Sequence, residues 1–519
     1  MKHFFILGII LSLIIGCQQE ATKQTQEKQP PPNIVLIMAD DIGFSDIGCY
    51  GSEIATPNLD RLANNGMRFT QFYNMAKCNP TRSSMITGLY KGGNGAVPLQ
   101  TILKNAGYAT YQSGKEHFDN WVPKYCYADS TFDRAFHFWA TTEYFENPEG
   151  GFERPLFLDG KEVLPKDLEY SQEPFYKTDA FTDYGLKWIE EPIKNNKPFF
   201  LYLPYHAAHY PLQARPEDIE LYKGKYDIGW DSIRVWRFEK MKSLGIIPKD
   251  TQLSPPENNI NKFRGHPKGD EDIREKIPLY RPWESLTNKE QKDLSLEMTV
   301  FAAMVHRLDL NVGRVIDRLE KEGILDNTLI LFLTDNGSCP YDSNKSFDVP
   351  PGPANSYRTL SAAWANVGNT PFRLYKQFGH EGGCNTHFIA HWPKQIAGGS
   401  INKNVGHVVD ILPTLTEVAQ TTYPDSIQGY PSLPLHGSSL LPLFKGEQRP
   451  TPKFILSGLD KFRMYREGDW KIVRANNEAW ELYNLQKDLT ELNDLAESNP
   501  EKLAEMEENY KKIAEEIEL

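Results

Sequence analysis

The segment PNIVLIMADDIGFSD, residues 32–46, decides the fold class of this chain. Residues 33–39 form a continuous apolar run that follows Pro32 and ends at the adjacent carboxylates Asp40 and Asp41. A run that is apolar throughout, rather than alternating, is typical of a parallel strand with both faces buried. Open α/β sheets bind ligands at the carboxyl ends of such strands. The two carboxylates therefore belong either to a binding site or to a solvated turn.

A second segment, TLILFLTDNG at residues 328–337, repeats this pattern far downstream. Its apolar run ends at Thr334, Asp335 and Asn336, and Gly337 is free to let the backbone turn. Together the two strand ends supply three carboxylates and one amide oxygen. Such oxygens suit Ca²⁺ at about 2.3–2.6 Å, and Mg²⁺ less readily because it demands a stricter octahedron. The pattern therefore predicts a divalent-cation site.

The rest of the chain favours a large α/β domain followed by a smaller one. Residues 294–322 carry apolar side chains at helical spacing directly before the second strand, which is the helix–strand order of a parallel sheet. We therefore expect a large, mixed and mostly parallel sheet flanked by helices over residues 33–425. Residues 426–519 change to alternating, antiparallel-type strands and end in a charged helix from Pro500.

The segment KCNPTRSSMITG, residues 77–88, places Cys78 next to a predicted helix start. Pro80 has a fixed φ and disfavours helical geometry at the residue before it, so Cys78 is expected on an extended turn. A cysteine at a helix N-terminus near Arg82 lies in an electropositive setting that stabilises a thiolate or a bound anion. Taken alone, the segment also fits a buried structural cysteine. The hydroxyl side chains available to cap the helix are Thr81, Ser83 and Ser84.

Cys78, Pro80 and Arg82 form the pattern C-x-P-x-R, which resembles the signature of the type I, formylglycine-dependent sulfatases of the alkaline phosphatase superfamily. The resemblance, to exported arylsulfatase-like proteins, implies that a maturation enzyme oxidises Cys78 to formylglycine (3-oxoalanine). It implies that the hydrated aldehyde attacks a sulfate ester, passes through a covalent sulfate hemiacetal and then expels sulfate. It also implies one Ca²⁺, or less readily Mg²⁺, bound by Asp40, Asp41, Asp335, Asn336 and the oxidised residue 78.

Three further segments resemble family motifs that carry cations and histidines. Lys115 and His117 match a G-K-x-H motif that follows a short predicted strand. His209 follows another apolar run, although Ala208 stands where relatives commonly have proline. Lys376 matches the lysine of a P-x-R-x-x-K…E-G-G stretch that contacts sulfate in the family.

The resemblance assigns a role to each of these residues. Arg82 and Lys115 hold the oxygens of formylglycine and sulfate. His117 handles the proton of the second hydroxyl, and His209 with Lys376 protonates or stabilises the leaving alcohol. Dense positive charge suits a sulfate monoester, because its anionic oxygens hinder attack.

Neighbouring residues in these segments are assigned supporting positions. His206 is expected in the loop around the site or behind it. Arg373 and Glu381 are expected to organise the loop of the matched lysine. His380 and His387 either contact substrate or are solvated, and we favour solvation.

The first residues resemble a bacterial lipoprotein signal. Residues 1–17, MKHFFILGIILSLIIGC, have a basic start and an apolar stretch that is short for a membrane span. The resemblance implies lipidation of Cys17 after cleavage, followed by a polar tether over residues 18–32. The protein is then held at the cell surface or a periplasm-facing membrane by its lipid anchor only. A plain secretory signal is the alternative, and it makes the protein secreted or periplasmic.

Composition limits the partners that the chain can bind. The formal net charge of −12 argues against a nucleic-acid coat or a polybasic membrane binder. Apart from Cys17 and Cys78, the cysteines are even in number, which is compatible with disulfides in an exported protein. Their spacing names no pairs; they are Cys49, Cys126, Cys339 and Cys384.

The substrate is the feature that the sequence reveals least. Residues 215–287 form an insertion that either lines a sugar-binding cleft or is a lid packing on its own core. Because export favours an extracellular polymer, we expect a sulfated polysaccharide or oligosaccharide. The alternatives are phosphomonoester or phosphonate hydrolysis, and glycan binding by a catalytically dead lipoprotein. The aromatic and cationic residues of the insertion include Trp230, Trp236, Trp283, Arg234 and Arg237.

Overall fold

The predicted signal, residues 1–17, and nearly all of the predicted tether, residues 18–32, lie outside the part of the chain that the structure describes. Within the described part, none of the helices has the length and apolar character needed to cross a membrane. The domain limits expected at residues 425 and 426 stay a prediction. The structure, a computed structural model, describes residues 31–518 except residues 147–153, 257–279, 342, 346, 459–460 and 477.

A large mixed sheet lies at the centre of the fold. The strands found among the described residues are β1 (Asn33–Ala39), β2 (Met67–Tyr73), β3 (Ala109–Glu116), β4 (Arg134–Trp139), β5 (Leu156–Leu158), β6 (Lys161–Val163), β7 (Phe199–Pro204), β8 (Thr328–Thr334), β9 (Asn385–His391), β10 (Ser400–Asn402), β11 (Gly406–His407), β12 (Ser426–Ile427), β13 (Tyr430–Pro431), β14 (Ile455–Ser457), β15 (Arg463–Glu467), β16 (Trp470–Arg474) and β17 (Glu481–Asn484). The large sheet has the order β10-β2-β9-β8-β1-β7-β3-β4-β5-β6, and β11 pairs with β2.

Most neighbouring strands at the middle of this sheet are parallel. Strands β8, β1, β7, β3 and β4 all run in one direction, whereas β9 is antiparallel to both of its neighbours. Strands β5 and β6 form an antiparallel edge. The predicted mixed, mostly parallel α/β sheet is therefore confirmed.

Strand β1 coincides with the apolar run that was read from the sequence, and its surroundings explain that run. Val35 and Ile37 pack in one hydrophobic cluster, and Ile34, Leu36 and Met38 pack in another on the opposite face. All five side chains are fully buried. Since successive side chains of a strand point to opposite faces, a strand covered on both sides must be apolar at every position.

Helices cover the sheet. The longest, α9, begins with a capping box in which Thr287 and Glu290 bond reciprocally. Asp309 of this helix accepts hydrogen bonds from the backbone N–H groups of Asn58 and Leu59 at the start of α1. The helices of the described residues are α1 (Pro57–Asn64), α2 (Cys78–Thr87), α3 (Leu99–Asn105), α4 (Ala128–Thr131), α5 (Lys177–Trp188), α6 (Glu190–Lys194), α7 (Pro216–Glu220), α8 (Gly229–Ser243), α9 (Asn288–Lys321), α10 (Ala362–Gly368), α11 (Glu381–Cys384), α12 (Ile411–Val418), α13 (Leu441–Phe444) and α14 (Pro500–Glu516).

A second, antiparallel sheet follows near the C-terminus. It consists of β14, β15, β16 and β17 in sequential order. Gly468 lies in the tight turn between β15 and β16. The turn requires a left-handed backbone there, with a φ of 59°, and glycine adopts it without steric cost. Met506 and Tyr510 of α14 are buried in the hydrophobic cluster that also contains Tyr465 of this sheet. The predicted antiparallel sheet with a C-terminal helix is thus confirmed.

Part of the insertion packs on the core. Trp230 and Trp283 meet edge to face at 4.8 Å between ring centroids, and both rings also contact Trp364. Arg237 is buried in ion pairs, whereas Trp236 is 46% exposed. The buried tryptophans are therefore core residues rather than open sugar platforms.

Candidate active site

Four neighbouring parallel strands bring the predicted site residues to one edge of the sheet. Their order is β8, β1, β7 and β3. The pairing of Ala39 with Thr334 sets the residues after β1 beside those after β8. Hydrogen bonds from Asp40 N–H to Ala207 O and from Ala208 N–H to Asp40 O hold the loop after β7 against β1. At or after the strand ends lie, in sheet order, Asp335 and Asn336, Asp40 and Asp41, His206 and His209, and Lys115 and His117.

Strand β3 is longer than expected. Lys115 was expected on a turn after this strand, but it lies within it, because β3 stays paired to β4 as far as Glu116. The prediction for the turn was therefore wrong by a few residues. His117 follows directly and remains close to Lys115.

Cys78 is the first residue of α2, not a residue of an extended turn before the helix. Pro80 is the third helical residue, where its missing N–H is harmless because N–H groups in the first turn have no intrahelical acceptor. The predicted hydroxyl caps are also wrong, since no side chain caps this helix. Thr81 instead accepts a hydrogen bond from the N–H of Met75 at 3.0 Å. The helix N-terminus still lies beside the thiol, as its electropositive setting requires.

Three buried cations face three buried carboxylates at the strand ends. Lys115 Nζ lies 2.5 Å from Asp40 Oδ2. Lys376 Nζ lies 2.5 Å from Asp41 Oδ1. Arg82 donates from Nε and Nη2 to Asp335 Oδ2 at 2.9 and 2.7 Å. All six side chains are at most 3% exposed, so the charges must compensate one another.

Burial raises the pKa of two of these carboxyl groups. Desolvation raises the pKa of Asp335 to about 6, and repulsion from Asp40 adds to this effect. Desolvation also raises the pKa of Asp40, against the attraction of Lys115 and Arg82. Groups that hold negative charge at such a cost are typical of functional sites.

Cys78 contacts a histidine that an aspartate orients. Its Sγ lies 3.2 Å from His117 Nδ1, and His117 Nε2 lies 3.2 Å from Asp119 Oδ2. Burial by itself would raise the pKa of the Cys78 thiol, but the charges of Lys376, His117 and Lys115 lower it to about 5. The thiol is therefore a reactive group in the unmodified chain, and the same field stabilises any anion at this position.

His209 faces Asp41. Its Nε2 is 3.4 Å from Asp41 Oδ2, and its Nδ1 is 2.7 Å from the carbonyl of Tyr210. Burial, with Lys115 and Lys376 nearby, lowers the pKa of His209 well below its ordinary value. His206 is stacked against the His209 ring at 5.2 Å.

The loop of Lys376 is held from behind by the C-terminal sheet. Glu381 and Glu491 each lie 2.7 Å from Lys471 Nζ, and all three side chains are fully buried. Arg373 donates to the carbonyl of Glu491 at 2.7 Å. Arg373 and Glu381 thus organise this loop, as the sequence led us to expect.

Comparison with known proteins agrees with this geometry. The family model described as sulfatase matches residues 32–421, which is most of the chain. The chain belongs to the sulfatase family. A second model, N-sulphoglucosamine sulphohydrolase, C-terminal, matches residues 372–518 of this sulfatase. As a member of the family it is an enzyme that hydrolyses sulfate esters.

Relatives match the sulfatase along most of its length. An arylsulfatase of Klebsiella aerogenes is 33% identical and covers 84% of this chain and 95% of its own. An uncharacterized sulfatase of Schizosaccharomyces pombe is 32% identical and covers 94% of each chain. The crystal structure of Ps i-CgsB in complex with k-i-k-neocarrahexaose is 25% identical, covers 93% of this chain and 92% of its own, and has a TM-score of 0.64.

The sulfatase family uses a divalent metal ion, and the residues at the strand ends fit one. Three buried oxygens there have no hydrogen-bond partner, namely Asp40 Oδ1, Asp41 Oδ2 and Asn336 Oδ1. Such orphaned oxygens are the ligands that a hard cation takes. Ligand atoms of Asp40, Asp41 and His209 lie within 4.8 Å of one another, whereas Asp335 Oδ2 is occupied by Arg82.

Two residues of the sulfatase site were missed by sequence reasoning. Asp119 holds His117, and the i, i+2 spacing of the two residues was the only available signal. Tyr144 donates its hydroxyl to the carbonyls of His206 and His209 at 2.8 Å, and so fixes their loop. Nothing in the sequence around Tyr144 points to this contact, because it spans more than 60 residues.

Two sequence expectations about nearby residues are corrected. His380 and His387 were expected to be solvated, but both rings are fully buried. His387 stacks on Phe332, and His380 pairs with Glu481 at 3.1 Å. The possible disulfides are also absent among the described cysteines, since each of these is a free, buried thiol: Cys49, Cys78, Cys126, Cys339 and Cys384.

Proposed function

We propose that this sulfatase is exported and removes sulfate from a sulfated polysaccharide or oligosaccharide, with formylglycine made from Cys78 and one bound Ca²⁺. The observation that carries the proposal is the position of Cys78. It starts a helix, lies 3.2 Å from His117 and is buried among the cations of the site. A structural cysteine needs none of these neighbours.

The surroundings of position 78 support a nucleophile there. When formed there, formylglycine supplies an aldehyde hydrate, whose first hydroxyl attacks sulfur and whose second hydroxyl allows sulfate to leave. His117 Nδ1 faces this position, and its Nε2 side is held by Asp119. If Nε2–H donates to Asp119, then Nδ1 is free to accept a proton from the group at position 78.

The charges of the site suit a sulfate monoester. Lys115, Lys376 and Arg82 balance the carboxylates of the strand ends one for one. A divalent cation on the orphaned oxygens makes the centre net positive, which attracts the single negative charge of a sulfate ester. The arginine fork and the two ammonium groups can then follow the sulfate oxygens as charge shifts during attack.

The leaving alcohol is expected on the side of His209 and Lys376. His209 Nδ1 contacts the carbonyl of Tyr210, which leaves Nε2 facing the site. Lys376 carries three N–H donors, of which one is engaged by Asp41. Both groups are therefore placed to stabilise the bridging oxygen as its bond to sulfur breaks.

The chemistry of the donor set supports Ca²⁺. The orphaned atoms are two carboxylate oxygens and one amide oxygen, and the predicted ligands include no thiolate that would favour a softer metal. Mg²⁺ would require a stricter octahedron. Calcium is therefore the ion that we propose for Asp40, Asp41, Asp335, Asn336 and position 78.

The proposed substrate and location have separate support. Ps i-CgsB, which is similar along nearly the whole chain, was solved in complex with k-i-k-neocarrahexaose. The N-terminal residues resemble a lipoprotein signal ending at Cys17. Export by a lipid anchor, or secretion if Cys17 is not lipidated, would bring the enzyme to extracellular sulfated carbohydrates.

Mass spectrometry of the peptide that contains Lys77 to Arg82 tests the proposal directly. We expect the protein isolated from its host to show replacement of the Cys78 sulfur by oxygen. A thiol that persists in the native protein would contradict it. Turnover of p-nitrophenyl sulfate, compared with p-nitrophenyl phosphate, then separates sulfatase from phosphatase activity, and sulfated oligosaccharides test the substrate class.

A further inference from the structure

A cavity of about 280 Å³ lies between α8 and α10. None of the residues assigned above to the catalytic centre lines it. Its walls include polar and aromatic side chains of both helices and of the segments that flank them. The lining residues that matter here are Trp230, Arg234, Tyr280 and Asn366.

Arg234 is a buried cation that has no anionic partner among the residues that the structure describes. Arg234 is only 6% exposed, and its guanidinium donates hydrogen bonds to the carbonyl and the hydroxyl of Ser254. A guanidinium has five N–H donors, so three remain without an acceptor, including the Nε–H. No carboxylate of the described residues lies within ion-pair distance of Arg234.

Arg237 lies one helical turn further along α8 and is also buried, but two carboxylates compensate its charge. It pairs with Asp46 at 2.5 Å and with Glu53 at 2.7 Å. Burial lowers the pKa of Arg234 to about 10, whereas the two carboxylates raise that of Arg237 above its ordinary value. A buried charge is retained at such a cost when something pairs with it.

A second polar group in the cavity also lacks partners. Asn366 is 1% exposed, and neither Nδ2 nor Oδ1 has a hydrogen-bond partner. Asp231, the carboxylate nearest along the helix, is already occupied, because it accepts from the hydroxyl of Tyr280 and the N–H of Trp283. The free donors of the cavity are therefore those of Arg234 and Asn366 Nδ2, and its one neutral free acceptor among the residues discussed is Asn366 Oδ1.

We propose that this cavity is a second oxyanion-binding site of the sulfatase, and that it takes a sulfate or carboxylate group carried by a saccharide. Arg234 supplies the cationic fork that oxyanions bind, and Asn366 adds a neutral donor. The partly buried ring of Tyr280 offers an apolar face to a sugar, and the volume admits about one sugar unit. That the oxyanion is carried by a saccharide rests on the proposed function, whereas the oxyanion site itself does not.

Calorimetric titration of the full-length protein tests this site. The titrations use inorganic sulfate and galactose 6-sulfate with the Cys78→Ser protein, so that no turnover occurs. We compare this protein with the same chain carrying Arg234→Met, or Lys240→Met as a matched control. Lys240 is an exposed cation of the same helix that does not line the cavity.

We expect two sulfate sites in the parent and in the Lys240→Met protein. In the Arg234→Met protein, affinity at one of them should fall by at least about tenfold, as expected for loss of a charged hydrogen-bond donor. Its melting temperature should stay equal or rise, because the substitution removes an uncompensated buried charge. Asn366→Leu should weaken the same site without changing Arg234.

Unchanged stoichiometry and affinity in the Arg234→Met and Asn366→Leu proteins would overturn the site. Equal affinity for inorganic sulfate and galactose 6-sulfate would overturn its assignment to a saccharide. Hydrolysis of p-nitrophenyl sulfate by chains with intact Cys78 is measured separately, and Arg234→Met should leave it within about twofold. Failure of the proposed function would abolish that activity in every chain, so the two failures are distinguishable.

Discussion

The charged residues of the site are buried, and each is compensated by opposite charges nearby. Cys78 is reactive because Lys376, His117 and Lys115 lower the pKa of its thiol to about 5 despite burial. The same cations are held in place by carboxylates that would otherwise be too costly to bury. A change at one of these positions therefore alters the charge balance of the whole centre, not only one contact.

Cys78→Ser should lower the turnover of a sulfate ester by at least about a thousandfold. A serine ester of sulfate lacks the second hydroxyl that expels sulfate from the hydrated aldehyde, and the covalent nucleophile is lost. Steady-state kinetics with p-nitrophenyl sulfate measure the loss, and circular dichroism checks that the protein remains folded. A variant with near-normal sulfate release would refute the assignment of position 78.

Asp119→Asn should lower kcat by about 10- to 100-fold and change its pH dependence. Asp119 lies 3.2 Å from His117 Nε2, and an amide there can stabilise the wrong tautomer of the ring. The matched control is Asp129→Asn, because Asp129 contacts His137, a histidine outside the site, at 3.0 Å. Equal losses of kcat in the two variants would argue against a specific role of Asp119.

Removal of the metal should abolish activity and lower the melting temperature. Without a cation, Asp40 Oδ1, Asp41 Oδ2 and Asn336 Oδ1 remain buried without partners. The measurement is calorimetric melting and activity after chelation, followed by titration with Ca²⁺ or Mg²⁺. We expect Ca²⁺ to restore both properties, and recovery with Mg²⁺ but not Ca²⁺ would reject the calcium assignment.

At the scale of elements, predictions were best where periodicity was complete. The run at residues 33–39 coincides with β1, and the run at 328–333 is β8 with one residue added. The helix expected over 294–322 begins earlier, at Asn288, because the capping box of Thr287 and Glu290 starts it. The prediction for the start of α2 was wrong. Proline is tolerated in the first turn of a helix, so Pro80 does not prevent the helix from starting at Cys78.

The C-terminal sheet contributes to the active site through one buried cation. Lys471 of β16 lies 2.7 Å from both Glu381 and Glu491, behind the loop of Lys376. No sequence pattern linked Lys471 to the loop of Lys376, because Lys471 and Glu381 are 90 residues apart. The C-terminal subdomain therefore supports the loop of Lys376 and shares hydrophobic clusters with the large domain.

Lys471→Met should destabilise the protein by about 3–5 kcal/mol, because it leaves two buried carboxylates without their cation. Urea unfolding followed by fluorescence measures the change in midpoint and slope. Lys487→Met, at an exposed position of the same subdomain, is the control and should change stability by less than about 0.5 kcal/mol. An unchanged midpoint for Lys471→Met would show that the cluster is not a support.

At the scale of the whole molecule, buried histidines should make the fold sensitive to acid. His387 is fully buried against Phe332, and desolvation lowers its pKa from 6.5 to about 3. Between these values the unfolded chain binds a proton that the folded chain does not. Stability from this group is therefore complete above pH 6.5 and is lost as the pH falls toward 3.

His387→Gln should reduce the loss of stability between pH 7 and pH 5 by about 2 kcal/mol, which corresponds to 1.5 pH units of linkage. Urea unfolding at the two pH values measures this difference for the parent and the variant. His306→Gln removes a partly exposed ring and serves as the control. If both variants keep the parent's pH dependence, other groups govern acid unfolding.

The sequence by itself determined the fold class and the two acidic strand ends, and it singled out Cys78 as the candidate for the chemical centre. Each of these is encoded locally: β1 and β8 carry continuous apolar runs because both of their faces are buried, and the motif around Cys78 is contiguous. Such patterns can be predicted from the sequence because they depend on residues that are close together along the chain.

The tertiary structure alone decided which charges meet. The strand order β8, β1, β7 and β3 brings Asp335, Asp41, His209 and Lys115 to one edge, although Asp41 and Asp335 are 294 residues apart in sequence. It also pairs Lys471 with Glu381 and, within the described part of the chain, leaves Arg234 without a carboxylate. Burial and charge pairing depend on contacts across the fold, so no spacing along the chain can specify them.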